Sequence, residues 1–263
     1  MSTLELNLAW LYPSLMSTYS DRGNIFVLEQ RGRLRNIKIN ILPIETETLI
    51  KDLERADFIF GGGSQDRQQE IVMRDLQKQK GRVLKKLIES EIPGLFTCGS
   101  PQLLGHYYEP TVGKRIEGLG IFDFVSISPG LNTYRCIGNI VIEITGIPLG
   151  EVKSKYLVGF ENHGGRTTLK NVKPLGKVLK GFGNNGCDQT EGAVYKNATA
   201  TYLHGPVLPK NPHLADYFLR LALEKKYQKN IELKTIEDSL EWQAHFSMVK
   251  QVLDKQIYEH KTF

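Results

Sequence analysis

The feature that most restricts how this chain can fold is an alternation, from Leu4 to Tyr108, of short apolar runs with helix-patterned stretches. Leu4 to Trp10 alternates and then runs apolar, and Ser20-Asp21-Arg22-Gly23-Asn24 can cap a helix reaching about Arg33. Ile37 to Ile44 is a second β-rich run, Thr46 to Arg55 a short helix, and Ala56 to Phe60 a third strand that stops at Gly61-Gly62-Gly63. From Asp66 to about Ser90, Ile71, Leu76, Val83, Leu84 and Leu87 fall on the apolar side of a helix, and Ile92 to Thr97 is a strand running into Cys98. Pro101 stands where a helix starts, and Gln102 to Tyr108 continues it. Such alternation predicts a parallel sheet with right-handed crossovers.

From Ile116 to Tyr202 the pattern changes to strand-like runs, among them Ile121 to Ser128, Ile137 to Ile144, Tyr156 to Phe160 and Ala198 to Tyr202, divided by Gly, Asn and Pro turns. Asn211 and Pro212 then open a helix through about Lys226, and Thr235 onward reads as a final amphipathic helix. A length of 263 residues suits one large α/β domain. With 40% hydrophobic and 24% charged residues, the composition is that of a water-soluble globular protein. The N-terminus reads as a strand rather than a signal peptide, and no segment reaches the roughly 18 apolar residues of a membrane span. A cytoplasmic protein is the expectation.

Three cysteines, Cys98, Cys136 and Cys187, offer neither a disulfide framework nor a zinc site. The formal charge of +5 is spread out apart from pairs such as Lys85-Lys86 and Lys225-Lys226, which read as solvated helix faces, so nucleic acid is not an expected partner.

Chemistry points to Cys98. It lies between a strand and a helix start, where an elbow projects a side chain at the carboxyl edge of a parallel sheet and the helix dipole favours thiolate. The competing reading is a buried structural cysteine, but Gly99 and Gly105 relieve crowding that an ordinary core position would not need. A cysteine nucleophile wants a base, and His204 is delivered to a strand end by Ala198 to Tyr202, with His163 second. His106 falls in the helix after Cys98, and His213, His245 and His260 read as surface residues. Gly61-Gly62-Gly63 lacks the spacing of either nucleotide-binding glycine motif, so its use is close backbone approach: an amide from this loop, paired with Gly99, can form an oxyanion hole.

Several ordered blocks resemble the class I (triad-type) glutamine amidotransferases of the cobyric-acid-synthase-like branch. They are Leu11-Tyr12-Pro13 with Asp21-Arg22-Gly23-Asn24, Phe60 to Ser64, Cys98-Gly99 with Gln102-Leu103-Leu104-Gly105, and Glu117 to Gly120. They continue with Gly159 to Thr167, Gly183-Asn184-Asn185, and Tyr202-Leu203-His204-Gly205-Pro206 with Leu208-Pro209-Lys210-Asn211. The match extends over nearly the whole chain and is nearest the glutaminase subunits of lipid II isoglutaminyl synthases. The resemblance implies a flavodoxin-like α/β fold: a central, mostly parallel sheet flanked by helices, with a β-rich second half. Residues 1–226 would form the amidotransferase domain and 227–263 a helical extension packed on it.

It further implies Cys98 as nucleophile, His204 as base and acid, Gly63 and Gly99 as oxyanion donors, Arg135 as the cation for the substrate carboxylate, and Gln102 as a wall of the L-glutamine pocket. No cofactor or metal is expected in this chain, ATP and Mg belonging to a partner, a MurT-like Mur-ligase-family subunit that amidates the lipid-linked stem peptide. Two departures stand out. Ser100-Pro101 replace the usual glycine and aromatic residue of the elbow, which keeps a non-catalytic scaffold of the same fold as an alternative, beside a cobyrinate-like acceptor. Pro206 stands where many class I members place the glutamate that orients the histidine, so a Cys-His dyad is expected.

Overall fold

The computed structural model describes residues 4–254. Its first half runs β1 (Leu4–Leu11), α1 (Arg22–Arg33), β2 (Ile37–Ile44), α2 (Ile50–Leu53), β3 (Phe58–Gly61), α3 (Asp66–Asp75), a π-helical turn (Leu76–Lys80), α4 (Gly81–Glu89), β4 (Gly94–Thr97) and α5 (Gly99–Leu104). Strands then dominate: β5 (Tyr107–Glu109), β6 (Ile116–Glu117), β7 (Phe124–Ile127), β8 (Cys136–Ile144), β9 (Tyr156–His163), β10 (Arg166–Leu169), β11 (Gly176–Lys180), β12 (Thr190–Glu191), β13 (Ala193–Tyr195) and β14 (Ala198–Thr201). Helices α6 (Val207–Lys210), α7 (Pro212–Tyr227) and α8 (Ser239–Asp254) follow.

The main sheet has the order β13-β14-β4-β3-β1-β2, five parallel strands with β13 antiparallel at one edge. Strand pleating sends alternate side chains to opposite faces, and both faces are covered. Leu6, Leu8, Phe58, Phe60 and Leu95 join a core with Ile25 and Leu28 of α1 and Leu214 and Phe218 of α7. Ala9, Leu11, Ile59 and Phe96 join the opposite core with Val72, Met73, Leu84 and Ile88. Central β3 and β4 are therefore buried along their whole length and read as unbroken apolar runs. Two four-stranded sheets, β10-β7-β5-β6 and the antiparallel β12-β11-β8-β9, make up the β-rich half. Val249 and Val252 of α8 pack on Val141 and Val158 of the latter.

Several sequence expectations are corrected. The long helix from Asp66 is broken by the π-helical turn, and Ile71, placed on its apolar side, is exposed, whereas Val72, Met73 and Ile88 do the packing. The elbow helix ends at Leu104 rather than Tyr108; His106 lies beyond it, exposed and 2.8 Å from Asp123, and Tyr107–Glu109 is strand. His213 and His245 are buried, not superficial: His213 stacks on Trp242 of α8, and His245 Nδ1–H donates to Lys210 O. Lys226 is not free in solvent but pairs with Asp57 at 2.9 Å. The last helix begins at Ser239, and His260, with residues 255–263, lies outside the described residues.

Candidate active site

Cys98 occupies the turn between β4 and α5 with φ 54° and ψ −100°, a strained conformation for a residue with a Cβ. Its N–H donates to Thr201 O at 2.9 Å, which ties the elbow to the end of neighbouring β14. Three residues beyond Thr201, on the same edge of the sheet, comes His204. Cys98 and His204 therefore sit at the carboxyl ends of adjacent parallel strands, the edge where open α/β sheets place their sites.

The elbow is built by close backbone approach. A Cβ on Gly99 would lie 2.8 Å from Ser64 N, and one on Gly63 would lie 3.3 Å from Cys98 Sγ. Ser100, one of the two unusual residues, is accommodated: its hydroxyl donates to Gly62 O at 2.6 Å and fastens the elbow to the glycine loop.

That loop behaves differently from the sequence expectation. Gly63 N–H is not available as an oxyanion donor, because it donates to Asp21 Oδ2 at 2.6 Å. Asp21, read from sequence as a helix cap, makes no capping bond; its fully buried carboxylate instead takes Gly63 N–H and, at 3.1 Å, the Thr97 hydroxyl. The next amide along, Ser64 N, is the one that lies against Gly99.

Cys98 opens on a cavity of about 490 Å³ lined by Ser64, Gln69, Gln102, Tyr108, Arg135 and Asn162, among others. Gln102 is in this wall, its amide fixed by Gln69 Nε2, which donates to its Oε1 at 2.8 Å, and by Tyr202 OH, which accepts from its Nε2 at 3.3 Å. Arg135 also lines the cavity, with Nε and Nη2 donating to Asn162 Oδ1 at 3.2 and 3.1 Å. Its guanidinium is the positive charge that acts on the Cys98 thiol.

His204 is fully buried behind Asn162, whose N–H donates to its Nε2 at 3.2 Å. A backbone amide thus holds one nitrogen of the ring, and Pro206 stands in place of an orienting glutamate. His163, the second choice for a base, stacks on Tyr202 with ring centroids 3.8 Å apart, and its Nδ1–H donates to Gly165 O at 2.8 Å, so it is held as part of the cavity wall.

The resting pair is neutral. Burial, and then the negative Asp21, push the Cys98 thiol up to about 12 against the opposing pull of Gly99 N–H and Arg135, so the thiolate expected from the helix dipole is not the resting form. Burial, then His163 and Lys210, push His204 down to about 4. Among the described residues no cluster of His, Cys, Asp and Glu side chains has the geometry of a metal site, and no helix is long and apolar enough to cross a membrane.

Asp21, Asn162 and Gln69 were not found as site residues by sequence reasoning. Asp21 and Asn162 lie in the motif blocks, but a carboxylate that holds an amide 42 residues away leaves no local signal. Gln69 is one of several polar residues in a helix and carries none.

Comparison with known proteins agrees with this arrangement. The CobB/CobQ-like glutamine amidotransferase domain matches residues 7–212. The chain is 44% identical, over 95% of its length and 95% of the relative's, to the lipid II isoglutaminyl synthase (glutamine-hydrolyzing) subunit GatD of Staphylococcus aureus (strain N315). It is 39% identical, over 95% and 94%, to the subunit of the same name from Streptococcus pneumoniae (strain ATCC BAA-255 / R6). A solved glutamine amidotransferase superposes with a TM-score of 0.56 over 81% of this chain and 98% of that one, at 13% identity, and so shares the fold. With the match spanning the sheet, the elbow and the His204 turn alike, this chain belongs to the CobB/CobQ-like glutamine amidotransferase family.

Proposed function

We propose that this chain is the glutamine-hydrolysing subunit of a lipid II isoglutaminyl synthase, releasing ammonia from L-glutamine and passing it to a MurT-like Mur-ligase-family subunit. The observation that carries the reading is a cysteine in a left-handed elbow, opening on a cavity whose wall carries an arginine. Glutamine has the matching ends: an α-carboxylate for the planar fork of Arg135 and a carboxamide for Cys98. The 44% and 39% identity to two GatD subunits supports the acceptor, D-glutamate of the lipid II stem peptide.

In this reading the carboxylate of glutamine is held by Arg135 and its chain lies along Gln102. Neutral His204 accepts the Cys98 proton on Nε2, which gives up its bond from Asn162 N–H as sulfur attacks the carboxamide carbon. The amides of Ser64 and Gly99 stabilise the oxyanion, taking the role first assigned to Gly63 and Gly99. The imidazolium returns the proton to the leaving nitrogen, ammonia departs, and a γ-glutamyl thioester remains. His204 then deprotonates water, which attacks the thioester, and glutamate leaves as sulfur regains its proton. Every step uses groups of this chain without a cofactor; ATP and Mg serve the ligase, which in a cytoplasmic complex captures the ammonia and reaches the lipid-linked acceptor.

The test is glutamate release from glutamine by the purified protein, alone and with the co-expressed ligase, in wild type and Cys98→Ala. Activity lost in the mutant is the expected outcome. No activity in either preparation, and no labelling of Cys98 by diazo-oxo-norleucine, would leave a non-catalytic scaffold.

A further inference from the structure

The block Leu208-Pro209-Lys210-Asn211 is so far without a role, and the structure gives it one. After His204 the chain turns at Gly205 and Pro206 and enters the short α6. This turn docks on the start of α1: a Cβ on Gly23 would lie 2.6 Å from Pro206 Cγ, and Asn24 Oδ1 accepts the Leu208 N–H at 2.8 Å. The Asp21-Arg22-Gly23-Asn24 block and the His204 block therefore meet in space.

Lys210 closes this junction. Its ammonium donates to Gly205 O and, at 3.4 Å, to Pro206 O, the two carbonyls after His204. Asp21, whose charge acts on Lys210, is fully buried, with Oδ2 on Gly63 N–H and Oδ1 without a hydrogen-bond partner. A buried carboxylate beside a sulfur that must become thiolate is unfavourable unless a cation compensates it.

We propose that Lys210 is a positioning residue for glutamine hydrolysis: its ammonium fixes the Gly205-Pro206 turn that carries His204 and supplies the positive charge that offsets Asp21 behind Gly63. This rests on the glutaminase reading above. The electrostatics agree in sign: Lys210 draws the Asp21 carboxyl down against a burial that has raised it to about 6, and helps push His204 down. The first effect is the mutual attraction of ammonium and carboxylate, and the second keeps His204 neutral, the state in which it accepts a proton. The other groups facing this pair are Cys98, through which Asp21 acts on the thiol, and His163, which bears on His204; Arg135 bears on Cys98 from the cavity side.

The test compares Lys210→Gln, which keeps a donor but no charge, with Lys210→Arg, which keeps the charge. Two readouts are used: the pH profile of glutamate release with the ligase present, and the rate of Cys98 alkylation by iodoacetamide in the absence of glutamine. For Lys210→Gln, kcat falls about tenfold or more with KM within about twofold. Its acid limb moves to higher pH, because His204 holds its proton more tightly, and at alkaline pH, where Asp21 is ionised in both proteins and uncompensated in the variant, Cys98 alkylates more slowly than in wild type. Lys210→Arg keeps all three close to wild type. The proposal is overturned if Lys210→Gln matches wild type in profile and alkylation, if both variants lose activity equally with an unmoved acid limb, or if Lys210→Gln fails to fold while Lys210→Arg folds, since the charge would then serve stability alone. A wild type that releases no glutamate defeats the glutaminase reading instead, and the alkylation rates still decide the role of Lys210.

Discussion

At the scale of single residues, burial favours the uncharged forms of both Cys98 and His204. With the thiol raised to about 12 and buried, Cys98 should alkylate more slowly than exposed Cys187 when free protein is treated with iodoacetamide, and peptide mass spectrometry reads the order directly. Arg135→Ala should raise KM for glutamine roughly 10- to 100-fold, the worth of a charge-assisted pair, with a smaller effect on kcat measured in the same assay. Cys98, His204 and Gln102 stand inside motif blocks of the sequence, whereas Arg135 stands in none and was named only through the family resemblance. Asp21 could not be assigned its role: the same side chain that sequence chemistry reads as a cap is turned inward, because a buried amide at Gly63 offers it a charge-assisted bond that solvent at a helix end does not. Gly63 lost its assigned role for the same reason.

At the scale of elements, the parallel strands were legible because β3 and β4 are buried on both faces and their apolar runs need no partner to be recognised. The boundary after α5 was not legible. Helix periodicity continues through His106, and what ends the helix is the pairing of Tyr108 with Ser126, a contact made by tertiary structure. Two buried groups give tests at this scale. Glu191, at the end of β12, bonds the Thr201 hydroxyl and the Tyr202 N–H, and burial raises its carboxyl from 4.5 to about 7. A carboxyl raised in the fold stabilises below its unfolded value, and that contribution is lost as pH rises through about 7. Glu191→Gln should therefore raise Tm by about 3 °C or more at pH 8, with the gain vanishing near pH 4.5, as thermal melts across that range would show. In α8, His245 joins Lys210 O and the Ser154 hydroxyl. His245→Ala, which leaves both without that partner, should cost about 1–3 kcal/mol in denaturant unfolding and reduce hydrogen-exchange protection across Ser239–Asp254.

At the scale of the whole molecule, the order β14-β4-β3 pairs Ala198–Thr201 with Gly94–Thr97, strands far apart in the sequence. Cys98 and His204 follow neighbouring strands, yet the second and third sheets, β5 to β12, are inserted between them along the chain. A chain emerging from the ribosome presents β1 to β4 long before β14 exists. Until then the open side of β4, whose Leu95 and Phe96 are wholly buried in the finished fold, is an unpaired apolar edge of the kind that recruits other strands. The position of β14 thus sets a vulnerability in biosynthesis: chains ending before Ala198 should accumulate in aggregates or with chaperones, and synonymous codons that slow translation across β5 to β12 should lower the soluble yield without altering a single contact of the mature enzyme.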